Sequence, residues 1–202
     1  MERPVVIFGA GGVGFWLTVA LCRSYNPKLI TVYDDDTLQG GLGHTRLPSA
    51  SLGTKKVSLL RGHLRVSWDH SNLPTFVDGR FTGIEAPENA LIVDCCDMPI
   101  KERRKIWKRV ERRKNRIIRV SYDGKNGVVV VAEGLPLFDS VAGGYSEVPN
   151  LALSFMAGGA GAWAVLRVLE NWNSIEYIDF QITLDELISP KLVKGFNVVS
   201  AA

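Results

Sequence analysis

The segment Gly9-Ala10-Gly11-Gly12-Val13-Gly14 follows directly on the apolar run Val5-Val6-Ile7-Phe8 and opens a stretch of helical character. A run that is apolar at every position suits a strand buried on both faces of a parallel sheet. The helix is expected from about Gly12 to Tyr25, with Pro27 just past its end to stop it. Glycines spaced G-x-G-x-x-G between a strand and a helix answer three steric demands. The first makes the tight turn, the second clears a side chain from the path of a phosphate, and the third lets helix and strand pack closely. The helix N-terminus then offers free N–H groups to an anion. A βα turn without a ligand would use the same glycines, so the motif points to nucleotide binding without establishing it.

Leu29 to Tyr33 reads as the second strand, and it ends in Asp34-Asp35-Asp36. An acidic residue at about this distance from the glycines accepts hydrogen bonds from ribose hydroxyls. It fits NAD as well as ATP and disfavours a 2′-phosphate. A solvated acidic turn accounts for at least one of the three carboxylates. Residues 34–53 form a long polar, glycine-rich loop, and loops of that length in compact domains are usually functional or disordered.

Beyond that loop the pattern gives a helix at about 54–65, a short strand around Phe76 and a buried strand Leu91-Ile92-Val93 ending at Asp94. Pro99 suits the first turn of a helix reaching about Arg113. Strands at 117–122 and 128–132 flank Asp123-Gly124-Lys125-Asn126-Gly127, a hairpin spacing. Pro149 opens a long helix to Leu169, and 175–184 alternates as a half-exposed strand does. The order β-α-β-α-β followed by a hairpin predicts an α/β fold: a Rossmann-like open sheet with helices on both faces, a parallel N-terminal half and an antiparallel C-terminal extension. Residues 1–187 are expected to form a single nucleotide-binding domain and 188–202 a C-terminal tail without periodicity.

With 46% hydrophobic and 22% charged residues, the balance is that of an ordinary globular domain. No apolar run reaches the roughly 18–20 residues of a membrane span. Met-Glu-Arg-Pro leads into the first strand without a signal-peptide core, so a cytoplasmic protein is expected. Three cysteines, Cys22, Cys95 and Cys96, make no disulfide framework and no Cys-x-x-Cys pair, so no zinc is expected.

Three further features follow in order. Asp34-x-Asp36-Thr37-Leu38 is followed by Arg46, then by Gly53-Thr54-Lys55-Lys56-Val57 at a helix start, then by Val93-Asp94-Cys95-Cys96-Asp97 at a strand end. With the glycine turn, this order resembles the ThiF/MoeB-type adenylating enzymes, relatives of ubiquitin-activating enzymes, whose pattern is glycine turn, D-x-D, loop Arg, G-x-x-K and D-C-T-D. The resemblance covers about residues 4–132 and, more loosely, the helix at 149–171. It implies an ATP-dependent adenylyltransferase that joins AMP to a carboxylate, the C-terminus of a ubiquitin-like protein or peptide, with release of pyrophosphate. Gly9, Gly11, Gly12 and Gly14 would then surround the phosphates and Asp34 would take the ribose, with Asp36 close by. Arg46 and Lys56 would neutralise phosphate charge, with Lys55 as the substitute in a shifted alignment, and Asp97 would hold Mg²⁺.

The resemblance also implies a homodimer, for which Trp163, Leu166 and the run Ala157-Gly158-Gly159-Ala160-Gly161 offer a surface or, equally, an internal core. Gly40-Gly41-Leu42-Gly43 stands where the family carries Asn, and Met98 where D-C-T-D continues in Asn. No cysteine follows Cys96, so an active protein would stop at the acyl-adenylate or pass it to a separate acceptor, with Cys95 and Cys96 serving packing.

Residues 101–119 carry 11 of the 24 Lys and Arg against 2 acidic residues, a local charge of +9 that leaves −6 elsewhere in a chain of net charge +3. Ile106, Trp107 and Val110 suit the inward stripe of a helix whose basic face is solvated, docks an acidic protein partner or meets nucleic acid. Two other functions stay open at this point: an ATP-binding interaction module that has lost catalysis, and an NAD-dependent oxidoreductase. The second leaves the order of Arg46, Lys56 and Asp97 unexplained.

Overall fold

The computed structural model describes residues 2–39, 52–67, 71–122, 126–132, 151–173, 175–183 and 197–200. Arg46, the stretch Gly40-Gly41-Leu42-Gly43, Asp123, Gly124, Lys125 and Pro149, all singled out above, lie outside them. The first βαβ unit is β1 (Val5–Phe8), α1 (Gly12–Cys22) and β2 (Ile30–Asp34), with a 3₁₀ turn at Pro27–Leu29 between α1 and β2. Then come α2 (Lys56–Ser67), β3 (Thr75–Asp78), β4 (Leu91–Asp94), α3 (Ile100–Glu111) and β5 (Arg116–Tyr122). The remaining elements are β6 (Asn126–Ala132), α4 (Leu151–Glu170), β7 (Ile175–Thr183) and β8 (Asn197–Ser200).

Five strands, β3-β2-β1-β4-β5, are parallel neighbours in an open sheet. Beyond β5 the sheet continues through β6, β7 and β8, each paired antiparallel with its predecessor. β8 falls in a stretch where the sequence shows no periodicity: Asn-Val-Val-Ser is too short to carry a pattern.

The apolar residues of β1 divide between the two faces, as alternation requires. Val5 and Ile7 join Val93, Ile118 and Val120 in a core covered by α1, α2 and α4, whereas Val6 and Phe8 join Ile92 and Ile117 in a second core under α3. The small residues of α4 belong to the first of these cores. A Cβ at Gly158 would stand 2.7 Å from Trp16 Cβ, and one at Gly161 2.6 Å from Leu17 Cδ1 and 2.9 Å from both Val120 methyls. The Gly/Ala run therefore lets α4 lie against α1 and β5, which is the internal alternative of the two raised by the sequence. Among the described residues, no helix is long and apolar enough to cross a membrane.

Strand order reverses at β1, because β2 lies on one side of it and β4 on the other. In open α/β sheets ligands bind in the crevice at the carboxyl ends of the strands beside such a reversal. The glycine turn sits at that place.

Candidate nucleotide site

Each glycine of the turn answers a steric demand of its own. Gly9 has φ +99°, and a Cβ there would come within 2.7 Å of the Cys95 carbonyl carbon and 2.9 Å of the Cys96 nitrogen. The turn thus leans on the end of β4, in a backbone conformation that L side chains rarely adopt. At Gly14 a Cβ would overlap the Gly9 carbonyl oxygen and stand 3.3 Å from Cys95 Cβ, so the third glycine seats α1 on the turn. Gly11 differs: φ is −71° and a Cβ would meet nothing within 4 Å. The space before it is open. Gly12 is the first residue of α1, whose start has no side-chain cap and no acidic residue in its first turn. The first N–H groups of the helix are left for an anion.

The Asp34 carboxylate ties this turn to the second strand. It is 7% exposed. Its Oδ2 accepts the Ala10 N–H at 2.5 Å and its Oδ1 the Asp36 N–H at 2.8 Å. Burial pushes the Asp34 carboxyl above its usual value, against the pull of Lys56 and of these two N–H groups. Asp35 and Asp36 are exposed, so the triple acid splits into one buried structural carboxylate and two solvated ones.

A short backbone ladder brings Lys56 to the same place. Leu38 N–H donates to the Thr54 carbonyl at 2.8 Å, Gly53 N–H to the Leu38 carbonyl at 2.8 Å, and Lys56 N–H to the Asp36 carbonyl at 3.1 Å. The Lys56 ammonium lies 2.8 Å from Asp36 Oδ2. The neighbouring Lys55 turns away, 3.1 Å from Asp78 and 2.8 Å from the Asp35 carbonyl oxygen. Of the two lysines, Lys56 is the one beside the acids that border the turn.

Asp97 lies exposed in the loop between β4 and α3. It does not cap α3: the N-cap is Pro99, with no side-chain hydrogen bond. Among the described residues its carboxylate has no hydrogen bond or ion pair, so one hard oxygen ligand is free at the carboxyl edge of the sheet. Mg²⁺ takes one or two carboxylates together with phosphate oxygens, a demand that Asp97 fits. Among the described residues the acidic side chains close enough to share an ion are Asp34, Asp35 and Asp36, and Asp97 is not among them.

Asp94 organises the floor between β4 and α3. It is 1% exposed, its Oδ1 accepts the Cys96 N–H at 3.1 Å, and its Oδ2 accepts Trp107 Nε1–H at 3.0 Å. Arg103 Nε stands 2.9 Å from the same Oδ2 as an ion pair, and Arg103 Nη2 donates to the Cys96 carbonyl. Two members of the basic segment, Arg103 and Arg119, are thus buried rather than solvated. Two others, Arg109 and Arg113, tie the segment to the loop before β4 by donating to the Thr82 and Ala86 carbonyls, and Arg80 of that loop pairs with Glu102. Ile106, Trp107 and Val110 form the inward stripe.

Burial pushes the Cys22 thiol up to about 12 and holds Cys95 and Cys96 well above the usual thiol value, with Asp94 adding to the effect at both. Thiols in that state are poor nucleophiles. At neutral pH, iodoacetamide should therefore label none of the three within minutes in the native protein and all three in denaturant. Rapid labelling of Cys96 in the native protein would reopen a catalytic role for it.

The fold and the turn define a Rossmann-like α/β protein with a glycine-rich turn at its strand reversal. No protein-family model and no curated protein matches the sequence. Among solved structures, the chain is similar to E. coli MccB with ATP, at TM-score 0.69 and 16% identity over 91% of this chain and 61% of that one. It is similar to the microcin C7 biosynthetic enzyme MccB in complex with N-formylated MccA, at TM-score 0.66 and 18% identity over 98% and 64%. PaaA follows at TM-score 0.67 and 12% identity over 92% and 70%. The resemblance in fold thus falls on a biosynthetic enzyme solved with ATP and with MccA. At these identities the likeness is one of fold, and the chain spans about three fifths of the MccB chains it matches.

Proposed function

We propose that this chain binds ATP with Mg²⁺ and adenylates a carboxylate, the C-terminus of a peptide or of a ubiquitin-like protein. The observation that carries the reading is the convergence of three sequence-distant elements: the open glycine turn, the Asp34 clasp and the Lys56 ammonium meet at one strand reversal. The MccB structures with ATP and with MccA support a nucleotide and a peptide as the two reactants. In this reading residues 1–187 form the catalytic domain, with β6 and β7 completing it and β8 added from the C-terminal tail, in a cytoplasmic homodimer.

Adenylation forms a bond from a carboxylate oxygen to the α-phosphorus and breaks the bond to the β-phosphate oxygen, releasing pyrophosphate. Two anions must approach, so positioned donors and cations dominate catalysis. The N–H groups at the start of α1 would receive phosphate oxygens. Asp34, held by Ala10 and Asp36, would accept from the ribose with its remaining lone pairs. Lys56, and Arg46 from the loop, would offset phosphate charge. Mg²⁺, held by Asp97, would supply further charge neutralisation. The high pKa values of Cys95 and Cys96 support a reaction that stops at the acyl-adenylate or hands it to a separate acceptor.

Calorimetry with ATP·Mg²⁺ and with NAD, followed by exchange of labelled pyrophosphate into ATP in the presence of peptides with free or amidated C-termini, tests the proposal. ATP binding and exchange that needs the free carboxylate are expected. Binding of NAD in place of ATP would select the oxidoreductase. Gly11→Ala sharpens the result. Among the described residues its new methyl meets nothing within 4 Å, so the cost to the fold should be that of a weaker N-cap, about 1 kcal/mol. The same methyl stands in the open path to the helix N-terminus, so ATP affinity should fall by at least about tenfold, 1.4 kcal/mol. Unchanged affinity would mean that the nucleotide does not use this turn.

A further inference from the structure

Arg119 on β5 is paired in register with Asp94 on β4, which is paired with Phe8, the residue before the glycine turn. It shares the α3 face of the sheet with Ile117, two residues earlier. The side chain is 7% exposed, yet its Nε and Nη1 are buried without a hydrogen-bond partner among the described residues. Asp94, the nearest buried acid, is already engaged by Arg103, Trp107 and the Cys96 N–H. The exposed Asp97 is near enough to favour the charged guanidinium but forms no ion pair with it among the described residues. Two buried guanidiniums thus share one buried carboxylate, and the other acid in reach, Asp97, is exposed. A buried cation without a partner is held at net cost unless an anion completes it.

The position says which anion. The glycine turn and Asp34 draw a nucleotide towards the β1–β2 side, whereas Arg119 lies two strands from β1 on the other side, roughly 10 Å at normal strand spacing. The nucleotide occupies one flank of the reversal, and the remaining reactant must come from the other. Nε and Nη1 lie on opposite edges of the planar guanidinium, and each can give one charge-assisted hydrogen bond to a carboxylate oxygen. We propose that Arg119, with Arg103 beside it, is the seat for a carboxylate of the substrate, at the β4–β5 flank of the site. The assignment rests on the adenylation reading for the identity of the second reactant, but the seat itself is tested without turnover.

Arginine Nε–Hε signals of the ¹⁵N-labelled full chain provide the test, with acetate and ATP·Mg²⁺ as probes. Arg119→Gln identifies the Arg119 signal by its loss. Acetate should shift that signal, equally so when ATP·Mg²⁺ is already bound, and Arg119→Lys should weaken the acetate response several-fold. A signal unmoved by acetate overturns the proposal. So does one that ATP·Mg²⁺ moves and thereby makes blind to acetate, because the seat would then belong to a phosphate. If ATP·Mg²⁺ leaves the Gly11 and Gly14 amides unmoved while acetate still shifts Arg119, the nucleotide reading fails and the carboxylate seat stands. In acetate-free buffer Arg119→Met should melt at or above the wild-type temperature, since it removes buried donors that have no hydrogen-bond partner among the described residues. A fall of more than about 5 °C would show Arg119 to be a structural counter-ion and sink the proposal.

Discussion

Gly14→Ala should be the most damaging single methyl in the molecule, lowering stability by about 3–5 kcal/mol and leaving little folded protein at 37 °C. Helix propensity argues the other way, since Ala is favoured over Gly in a helix interior by about 1 kcal/mol. Packing decides. The new Cβ would overlap the Gly9 carbonyl oxygen, and the carbonyl carbon would stand only 2.9 Å away. That oxygen belongs to a residue with φ +99°, itself pressed against the backbone of Cys95 and Cys96, so it has no direction in which to retreat. Relief would have to come from lifting α1 off the sheet and breaking its contacts with α4. Against a total stability of about 5–15 kcal/mol, such a loss is severe. Gly159→Ala is the control: it lies in α4 with nothing within 4 Å of its Cβ and should stabilise slightly. Thermal melts of the two variants check the contrast. If Gly14→Ala melted within about 3 °C of the wild type, the close seating of α1 on the turn would be wrong.

That seating could be read from the residues because it is local. Glycines at fixed offsets after an apolar tetrad fix a turn that no distant contact can reassign, and β1, α1, β2, β4 and α3 all form close to where periodicity places them. The choice of Lys56 over Lys55 was not local. It depends on the ladder between residues 36–38 and 53–56, which spans a loop of about twenty residues. Nor did the triple acid reveal that Asp34 alone would be buried and used to clasp Ala10. Arg119 was missed altogether, because a segment with 11 cations reads as a wet surface. One signal was present in the chain: within Ile117-Ile118-Arg119-Val120 an arginine interrupts a run of β-branched apolar residues. Its significance needed the β4–β5 register, which sets it beside an acid already paired with Arg103.

Lys56→Ala should separate the two roles that its position allows. As a tether, its ammonium holds Asp36, whose side chain is 67% exposed. The Lys56 side chain is 17% exposed, but with Asp36 open to water the pair contributes about 0–1 kcal/mol, so the variant should melt within a few degrees of the wild type. As a phosphate ligand, Lys56 would meet charge that grows as the β-phosphate oxygen departs, in a site from which bound reactants exclude water. Losing one such stabilising group typically costs about 10²–10³-fold in rate, or about 2.7–4 kcal/mol. The two magnitudes do not overlap. Pyrophosphate exchange should therefore fall at least a hundredfold in Lys56→Ala while the melting curve barely moves. Lys55→Ala, which loses contacts to Asp78 and the Asp35 carbonyl outside the crevice, should keep its exchange rate. Exchange in Lys56→Ala within threefold of wild type would reduce Lys56 to its tether. The charge that offsets the phosphates would then have to come from elsewhere at the carboxyl edge of the sheet.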